Sequence, residues 1–530
     1  MTVASTGGPG RHRARVITGS GARKSRSARF AAPAVPIAVA IVLSCATQFF
    51  FLNDRDYGNG AGIMAYTGWA MSQGRTIYRE TWENKGPLLY LINELGVRID
   101  YWHGIFVLEL GCLVATAALV YALARQVTGR VLASAASSLA LLTLGLTLSG
   151  GNLVEEYSMP FACTGVLAAV RLTLGRGRRW PWAAAYGACL ALIVELRFNI
   201  VAVPGAFAIF ALVALTKRNG FGRMMGTAGV AVGAMGVAGA PVAWYLARRG
   251  ALRAAIRTAY TGVMGDWGWS GQQRFEHAVG LLGLFLGAAG VAALLVAFTC
   301  LAVAALRRHD RPWSPRAYLV AASALALVAN VGANSLSGNG DMNYYITFVP
   351  ALAVPYAWTL ERGRCWLNEH WCVGESAVAV LAAASIVIGA PGVARVVSDV
   401  QGTNSGDPAQ YEQAYAYVDA YTTPRQTVQV FGAAGVQINY GSQRLSASKY
   451  PYDMMSFLQP RQRAVNAAIA ETVIEGKPAM VLFPTTAYVQ TFEQALTSAQ
   501  RAHFKAALGT LYQEPETVPG NSYVSYRLKA

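Results

Sequence analysis

Charge is scarce in this chain of 530 residues: 13% are Asp, Glu, Lys or Arg and 54% are hydrophobic, against roughly 25% charged in an ordinary soluble domain. That scarcity excludes a soluble globular enzyme. Cysteine is sparse too. All seven (Cys45, Cys112, Cys163, Cys189, Cys300, Cys365 and Cys372) fall in apolar runs or short basic loops, so no disulfide framework is expected. Six His are scattered without zinc-ligand spacing. There is no internal repeat, and no Gly-rich phosphate motif follows any strand pattern, which argues against a nucleotide-driven pump.

What is abundant is apolar sequence in runs of about 17 to 25 residues, the length that crosses a bilayer core of roughly 30 Å. Apolar runs, most of that length and a few shorter or longer, lie at 31–52, 104–124, 131–148, 158–174, 183–194, 200–216, 224–247, 278–306, 317–336, 345–360 and 372–396. The expected class is therefore an α-helical polytopic membrane protein of about 11 transmembrane helices. The net charge of +17 fits this class once its location is read. The N-terminal tail (1–30) and the alternate loops after it hold 21 of the 44 Lys and Arg, against three acids, Asp310, Glu361 and Glu369. An excess confined to alternate loops is a positive-inside signal rather than a nucleic-acid footprint. It predicts a cytoplasmic N-terminus behind an uncleaved anchor, with anionic membrane lipid against the arginines. An odd span count then places the C-terminal segment outside.

Two outer segments stand out. The first loop, 53–103, is long and polar, and its 61–73 stretch reads as an amphipathic helix lying in the interface plane. From residue 397 on, ten basic groups balance ten acidic ones. There, 428–431, 479–483 and 523–528 read as strands, and 464–474 and 492–508 as helices, giving a small exterior α/β domain at 397–530.

Chemistry-bearing residues cluster on the same outer side. Asp54 and Asp56 follow the first span directly, where apolar walls raise a carboxyl's pKa and suit it to act as a general base; a solvated loop accounts for the pair equally well. Lys85 lies in Tyr78-Arg79-Glu80-Thr81-Trp82-Glu83-Asn84-Lys85-Gly86-Pro87. Its ammonium suits a lipid-linked phosphate while Tyr78 and Trp82 settle at headgroup depth, although interfacial anchoring needs the same residue types. Glu155 and Glu156 can converge on an acceptor or hold a divalent cation, or can simply favour a helix N-terminus. Glu195 and Arg197 interrupt an apolar stretch two residues apart, a spacing that favours separate partners on a helix. Trp267 and Trp269 offer flat surfaces suited to sugar rings, and Asn343, Tyr344 and Tyr345 near Asp341 offer donors to a phosphate.

Taken together, Arg55-Asp56-Tyr57-Gly58, then Gly74 through Tyr78, then Trp82-Glu83-Asn84-Lys85-Gly86-Pro87-Leu88 resemble the first exterior loop of the C-superfamily membrane glycosyltransferases, relatives of protein O-mannosyltransferases and the aminoarabinose transferase of lipid A. Asn152 with Glu155 and Glu156, then Arg197-Phe198-Asn199, and then Asn343-Tyr344-Tyr345 before Pro350 resemble later motifs, so the likeness spans most of 31–360. The resemblance implies that 31–396 forms a transferase domain. It would be an inverting enzyme moving a sugar from a polyprenyl phosphate to a glycan, lipid or protein hydroxyl of the cell envelope, on the outer face of the cell membrane. It implies Asp56 as the base, with Glu155 or Glu156 orienting the acceptor or binding a divalent cation. Lys85, Arg197 and Tyr345 would hold the donor phosphate, and Tyr78, Trp82, Glu83, Trp267, Trp269, Asn343 and Tyr344 would line the substrate. Tyr57 stands where many relatives carry a second acid, and Asp54 offers itself instead, so the choice of base stays open between Asp54 and Asp56.

Two other classes fit parts of the pattern. A transporter or flippase of lipid-linked saccharide would use the spans and surface charges, but not the long first loop or the exterior domain. A non-catalytic scaffold binding cell-wall polymer would tolerate loss of Asp56 and Lys85.

Overall fold

The computed structural model describes residues 33–43, 45, 58–142, 151–261, 270–289, 315–336, 342–371, 408–432, 435–453 and 459–530. The helices of the apolar body are α1 (Pro33–Leu43), α2 (Gly58–Ser72), α3 (Pro87–Ile99), α4 (Gly104–Ala124), α5 (Arg130–Leu142), α6 (Val154–Leu174), α7 (Arg179–Leu196), α8 (Ala202–Asn219), α9 (Phe221–Arg248), α10 (Gly271–Ala289), α11 (Pro315–Leu336) and α12 (Phe348–Trp371). A 3-10 turn, Phe198–Val201, leads into α8, and a second, Met342–Thr347, leads into α12. Among the described residues five helices are long and apolar enough to cross a membrane: α4, α6, α8 with its preceding turn, α9 and α11. The chain is a polytopic helical membrane protein.

Burial separates the centre of the bundle from its rim. In α6, 72% of the most apolar stretch is buried, against 11% in α9, so α6 forms the hub and α9 turns most of its surface outward. The hub helix is well bounded. Glu155 and Glu156 sit in its first turn, where acids complement the helix dipole. It ends at Gly175 in the left-handed conformation, while Arg218 donates to the carbonyls of Leu172 and Thr173 at 2.6 and 3.1 Å.

The span readings differ from the helices mainly at their ends. The stretch at 104–124 coincides with α4, but 158–174 begins at Val154, 183–194 widens to Arg179–Leu196, and 345–360 becomes Phe348–Trp371. Apolar windows stop at the first charge, whereas helices run on through terminal Arg and Lys whose stems stay along apolar surface. The stretch 278–306 is described to Ala289, as α10 beginning at Gly271, and 372–396 lies outside the described residues.

The expected amphipathic helix in the interface plane is corrected. α2 is buried at every residue from 61 to 71. Its sequence, GNGAGIMAYTGWAMS, carries no charge, and its Thr67 hydroxyl donates to the Ile63 carbonyl at 2.8 Å. On one side α2 packs on α3: a Cβ at Gly68 would lie 2.6 Å from the Asn93 carbonyl carbon. On the other side Tyr66 and Trp69 join a core with Phe431, Val436 and Tyr440 of the C-terminal region.

That region contains α13 (Pro408–Tyr421), β1 (Val428–Val430), α14 (Val436–Gly441), α15 (Gln459–Glu475), β2 (Met480–Phe483), α16 (Thr486–Gln494), α17 (Ser498–Leu511), β3 (Glu516–Thr517) and β4 (Val524–Arg527). The sheet order is β1-β2-β4-β3, with β1 parallel to β2 (Val428 opposite Met480) and β4 antiparallel to both its neighbours. β1 and β2 are wholly buried: β2 is apolar throughout, while in β1 the buried Gln429 accepts from the Ser446 hydroxyl at 3.1 Å and donates to the Val430 carbonyl at 3.2 Å. The single helix expected over 492–508 is divided into α16 and α17, and Thr497 caps α17 by accepting from the Gln500 amide.

Gly68→Ala is expected to push α2 off α3 and lower stability by about 1–3 kcal/mol, as overpacking does. Gly229→Ala in α9, where a Cβ meets nothing within 4 Å, should hold or raise the melting temperature. Thermal unfolding of both variants in the same detergent checks the contrast.

Candidate functional site

The site is assembled where the first loop meets the end of α7. The Gly86 amide donates to the Leu196 carbonyl at 3.0 Å, and a Cβ on Gly86 would sit 2.1 Å from the Glu195 carbonyl oxygen. Only glycine permits that approach. It brings Lys85 beside the point where α7 stops and Arg197 adopts an extended conformation, with φ −161°.

Arg197 gathers residues from two distant segments, the first turn of α6 and the 3-10 turn before α12. Its Nη1 donates to Glu155 Oε1 at 2.5 Å, and its guanidinium lies 4.0 Å from the centroid of the Tyr344 ring. Asn343 Nδ2 donates to the other carboxylate oxygen, Glu155 Oε2, at 3.2 Å. The side chains of Arg197 and Glu155 are 16% and 2% exposed, so the pair is largely desolvated and held in place by the ring and the amide. Glu195 takes a separate partner, accepting from the Tyr260 hydroxyl at 2.8 Å, as its spacing from Arg197 suggested.

The Lys85 turn is tied at every point. Lys85 Nζ lies 3.2 Å from Glu83 Oε1, its amide donates to the Tyr90 hydroxyl at 3.1 Å, and its carbonyl accepts from the Tyr78 hydroxyl at 2.6 Å. Tyr78 carries φ +67°, a strained value for a bulky residue, and the bridge from its amide to the Thr81 carbonyl at 2.6 Å holds it there. Burial, with Tyr260, Glu195 and Glu83 nearby, raises the Tyr78 phenol well above its usual range. Burial and Glu83 do the same at Tyr90. Both hydroxyls therefore keep their protons. The lysine remains a quarter exposed, whereas Glu83 beneath it is fully buried.

Several expected site residues sit deeper in the protein than an interfacial loop would place them. Tyr78 and Trp82 are 3% and 4% exposed. The Trp82 amide donates to the Lys449 carbonyl at 2.7 Å, and its ring packs against Tyr450, because the C-terminal region covers this loop. Glu156 caps the start of α6: its Oε2 accepts from the Leu153 amide at 2.9 Å, and the residue is fully buried. Tyr345 is drawn into the helix core, where its hydroxyl donates to the Ala278 carbonyl at 2.5 Å. Its neighbour Tyr344 is the one beneath Arg197. Asp54, Asp56, Trp267, Trp269 and Asp341 lie outside the described residues. Among the described residues no group of three or more His, Cys, Asp and Glu is arranged to hold a metal ion.

Sequence reading missed a polar node under the site. Asn152, at φ +54°, donates from its amide to Glu109 Oε1 at 2.8 Å. Its side-chain nitrogen donates to Asn93 Oδ1 and to the Ala61 carbonyl at 2.8 and 3.1 Å, and its oxygen accepts from the Tyr157 hydroxyl at 2.8 Å. The node thereby ties α2, α3, α4 and α6 together three residues before Glu155. Two signals lay in the sequence: Asn152, which stands in the resembling motif with Glu155 and Glu156, and Glu109, an acid inside an apolar span, where ionisable groups are rare without a role.

With that geometry in view, comparison with known proteins is informative. Residues 35–224 match the family of the competence-induced protein Ccs4 N-terminal domain. No curated protein matches the chain. Among solved structures, ArnT from Cupriavidus metallidurans in the apo state is similar at 17% identity with a TM-score of 0.60, over 94% of this chain and 98% of ArnT. The same protein bound to undecaprenyl phosphate matches at 14% identity and a TM-score of 0.59, over 93% and 97%. The chain shares the fold of ArnT along nearly its whole length.

Arg197→Ala would leave Glu155 as an unpaired buried charge, a loss of about 3–5 kcal/mol by the behaviour of such pairs. The double change Arg197→Met with Glu155→Gln should recover most of the lost melting temperature.

Proposed function

We propose that this protein is an inverting glycosyltransferase of the outer membrane face, taking a sugar from a polyprenyl phosphate and passing it to a hydroxyl acceptor. The observation that carries the reading is an ArnT-like fold over nearly the whole chain, with Lys85 and Arg197 brought to one corner of it. ArnT has been captured with undecaprenyl phosphate, and a donor of that kind suits this chain.

In the proposed reaction the acceptor oxygen attacks the anomeric carbon as its proton passes to Asp56, or to Asp54 if that acid is the nearer. The bond from the anomeric carbon to the phosphate oxygen breaks, and polyprenyl phosphate leaves with a full added negative charge. A single displacement inverts the anomeric centre. Lys85 and Arg197 stabilise the leaving phosphate, the task for which fixed cations are worth most. Glu155, already engaged by Arg197, aims that guanidinium rather than serving as the base. The basic tail and loops support a cytoplasmic N-terminus, eleven crossings and an exterior C-terminal region, for which we propose acceptor positioning.

The test is release of sugar from a panel of polyprenyl-phosphate sugars by the purified protein with candidate acceptors. One donor should be consumed. Asp56→Asn should slow turnover by at least about 100-fold, the usual worth of a general base. Lys85→Ala should cost about 100- to 1,000-fold, as loss of one charge-stabilising group does, and Asp54→Asn should stay near the unmodified rate. A protein that consumes no donor but moves lipid-linked saccharide across vesicles is a flippase.

A further inference from the structure

The end of α14 and residues 442–453 after it lie along the first loop and bond to it at successive points. The Ser446 amide donates to the Tyr66 hydroxyl at 2.8 Å, Arg75 donates to the Ser446 carbonyl at 3.2 Å, and the Trp82 amide donates to the Lys449 carbonyl. Tyr101 and Tyr440 stack with ring centroids 4.7 Å apart, and each hydroxyl donates to the other's carbonyl. The last of these contacts is chemically different. The Tyr452 hydroxyl donates to Glu83 Oε2 at 2.8 Å, while Glu83 Oε1 accepts from the Asn84 amide at 2.8 Å and faces Lys85 Nζ at 3.2 Å. The next residue, Asp453, accepts from the Gly432 amide at 3.0 Å and the Tyr488 hydroxyl at 2.8 Å, which fixes this end of the segment to the loop after β1 and to α16.

We infer that Tyr452 is a positioning residue for the donor site: through Glu83 it sets the ammonium of Lys85, so the C-terminal region controls how well the phosphate is held. This rests on the reading of Lys85 as a phosphate ligand. Glu83 is 1% exposed, and a carboxylate at that depth needs donors on both oxygens. Asn84 and Lys85 serve one oxygen, and Tyr452 serves the other. Without the phenol, the carboxylate must turn toward its remaining donors and draw Lys85 inward, away from a ligand. Burial and the Glu83 charge hold the Tyr452 phenol well above its usual range, so it remains a donor at every physiological pH. The ring is buried among apolar neighbours, so Tyr452→Phe keeps the packing and removes the hydrogen bond alone.

The experiment measures binding of undecaprenyl phosphate to the full-length purified protein, to Tyr452→Phe, to Lys85→Ala and to the double variant. Tyr452→Phe should weaken binding by about fivefold to tenfold, and by less than about twofold in the Lys85→Ala background, because residues acting in series do not add. In turnover, the change should lower kcat/KM for the donor, and by less in the Lys85→Ala background, because the ammonium that Tyr452 positions is the one that stabilises the leaving phosphate. Equal weakening in both backgrounds marks a general packing effect and overturns the inference, as does undiminished binding by the single variant. If Tyr452→Phe does not fold, Glu83→Gln breaks the same chain and must show the same dependence on Lys85. Unmodified protein that binds no undecaprenyl phosphate overturns the functional reading and this inference with it. Binding lost in Lys85→Ala but unchanged in Tyr452→Phe overturns the inference alone.

Discussion

A guanidinium and a carboxylate 2.5 Å apart fix the centre of this molecule. Neither charge could be tolerated unpaired among so many apolar helices, so Arg197 must reach Glu155. That requirement sets where α7 ends, how the first turn of α6 faces it, and where the 3-10 turn Met342–Thr347 brings Asn343 and Tyr344. Glu155 has an oxygen left for Asn343, and Arg197 has a ring to lie on. The close approach of Gly86 to the last carbonyls of α7 then sets Lys85 at the edge of the same group. The proposed phosphate site is thus a by-product of satisfying buried charge.

The first loop and the C-terminal region share one hydrophobic core, with α2 between the sheet and the membrane helices. Residues 397–530 read as a separate unit because their composition changes, yet composition does not reveal what a surface is pressed against. Removal of that region would expose Tyr66, Trp69 and Trp82 and strip Glu83 of a hydrogen bond. Loss of transfer after such a deletion would therefore reflect donor binding as much as acceptor choice.

Much of the fold was legible because apolar length is a strong signal: α4 runs from Gly104 to Ala124 as its sequence indicates, and β2 follows its apolar run. Separate partners for Glu195 and Arg197 were legible from their spacing, although it is the end of α7 at Leu196 and the extended backbone of Arg197 that send the two side chains apart. What stayed hidden depends on contacts distant in sequence. An uncharged helix such as α2 looks the same whether protein or headgroups cover it. A Tyr such as Tyr345 near an outer loop looks like a ligand until a carbonyl, here that of Ala278, is seen to take its hydroxyl. Tyr452 is an ordinary residue in sequence, and its importance comes from a partner 369 positions away.

The most direct measurement is an experimental structure of the protein with a polyprenyl phosphate bound. The account predicts the phosphate within about 3 Å of Lys85 Nζ and of the Arg197 guanidinium, the reach of a charge-assisted hydrogen bond, with the Arg197 to Glu155 contact intact. A phosphate seated elsewhere, such as among the arginines at 176–179, would contradict it.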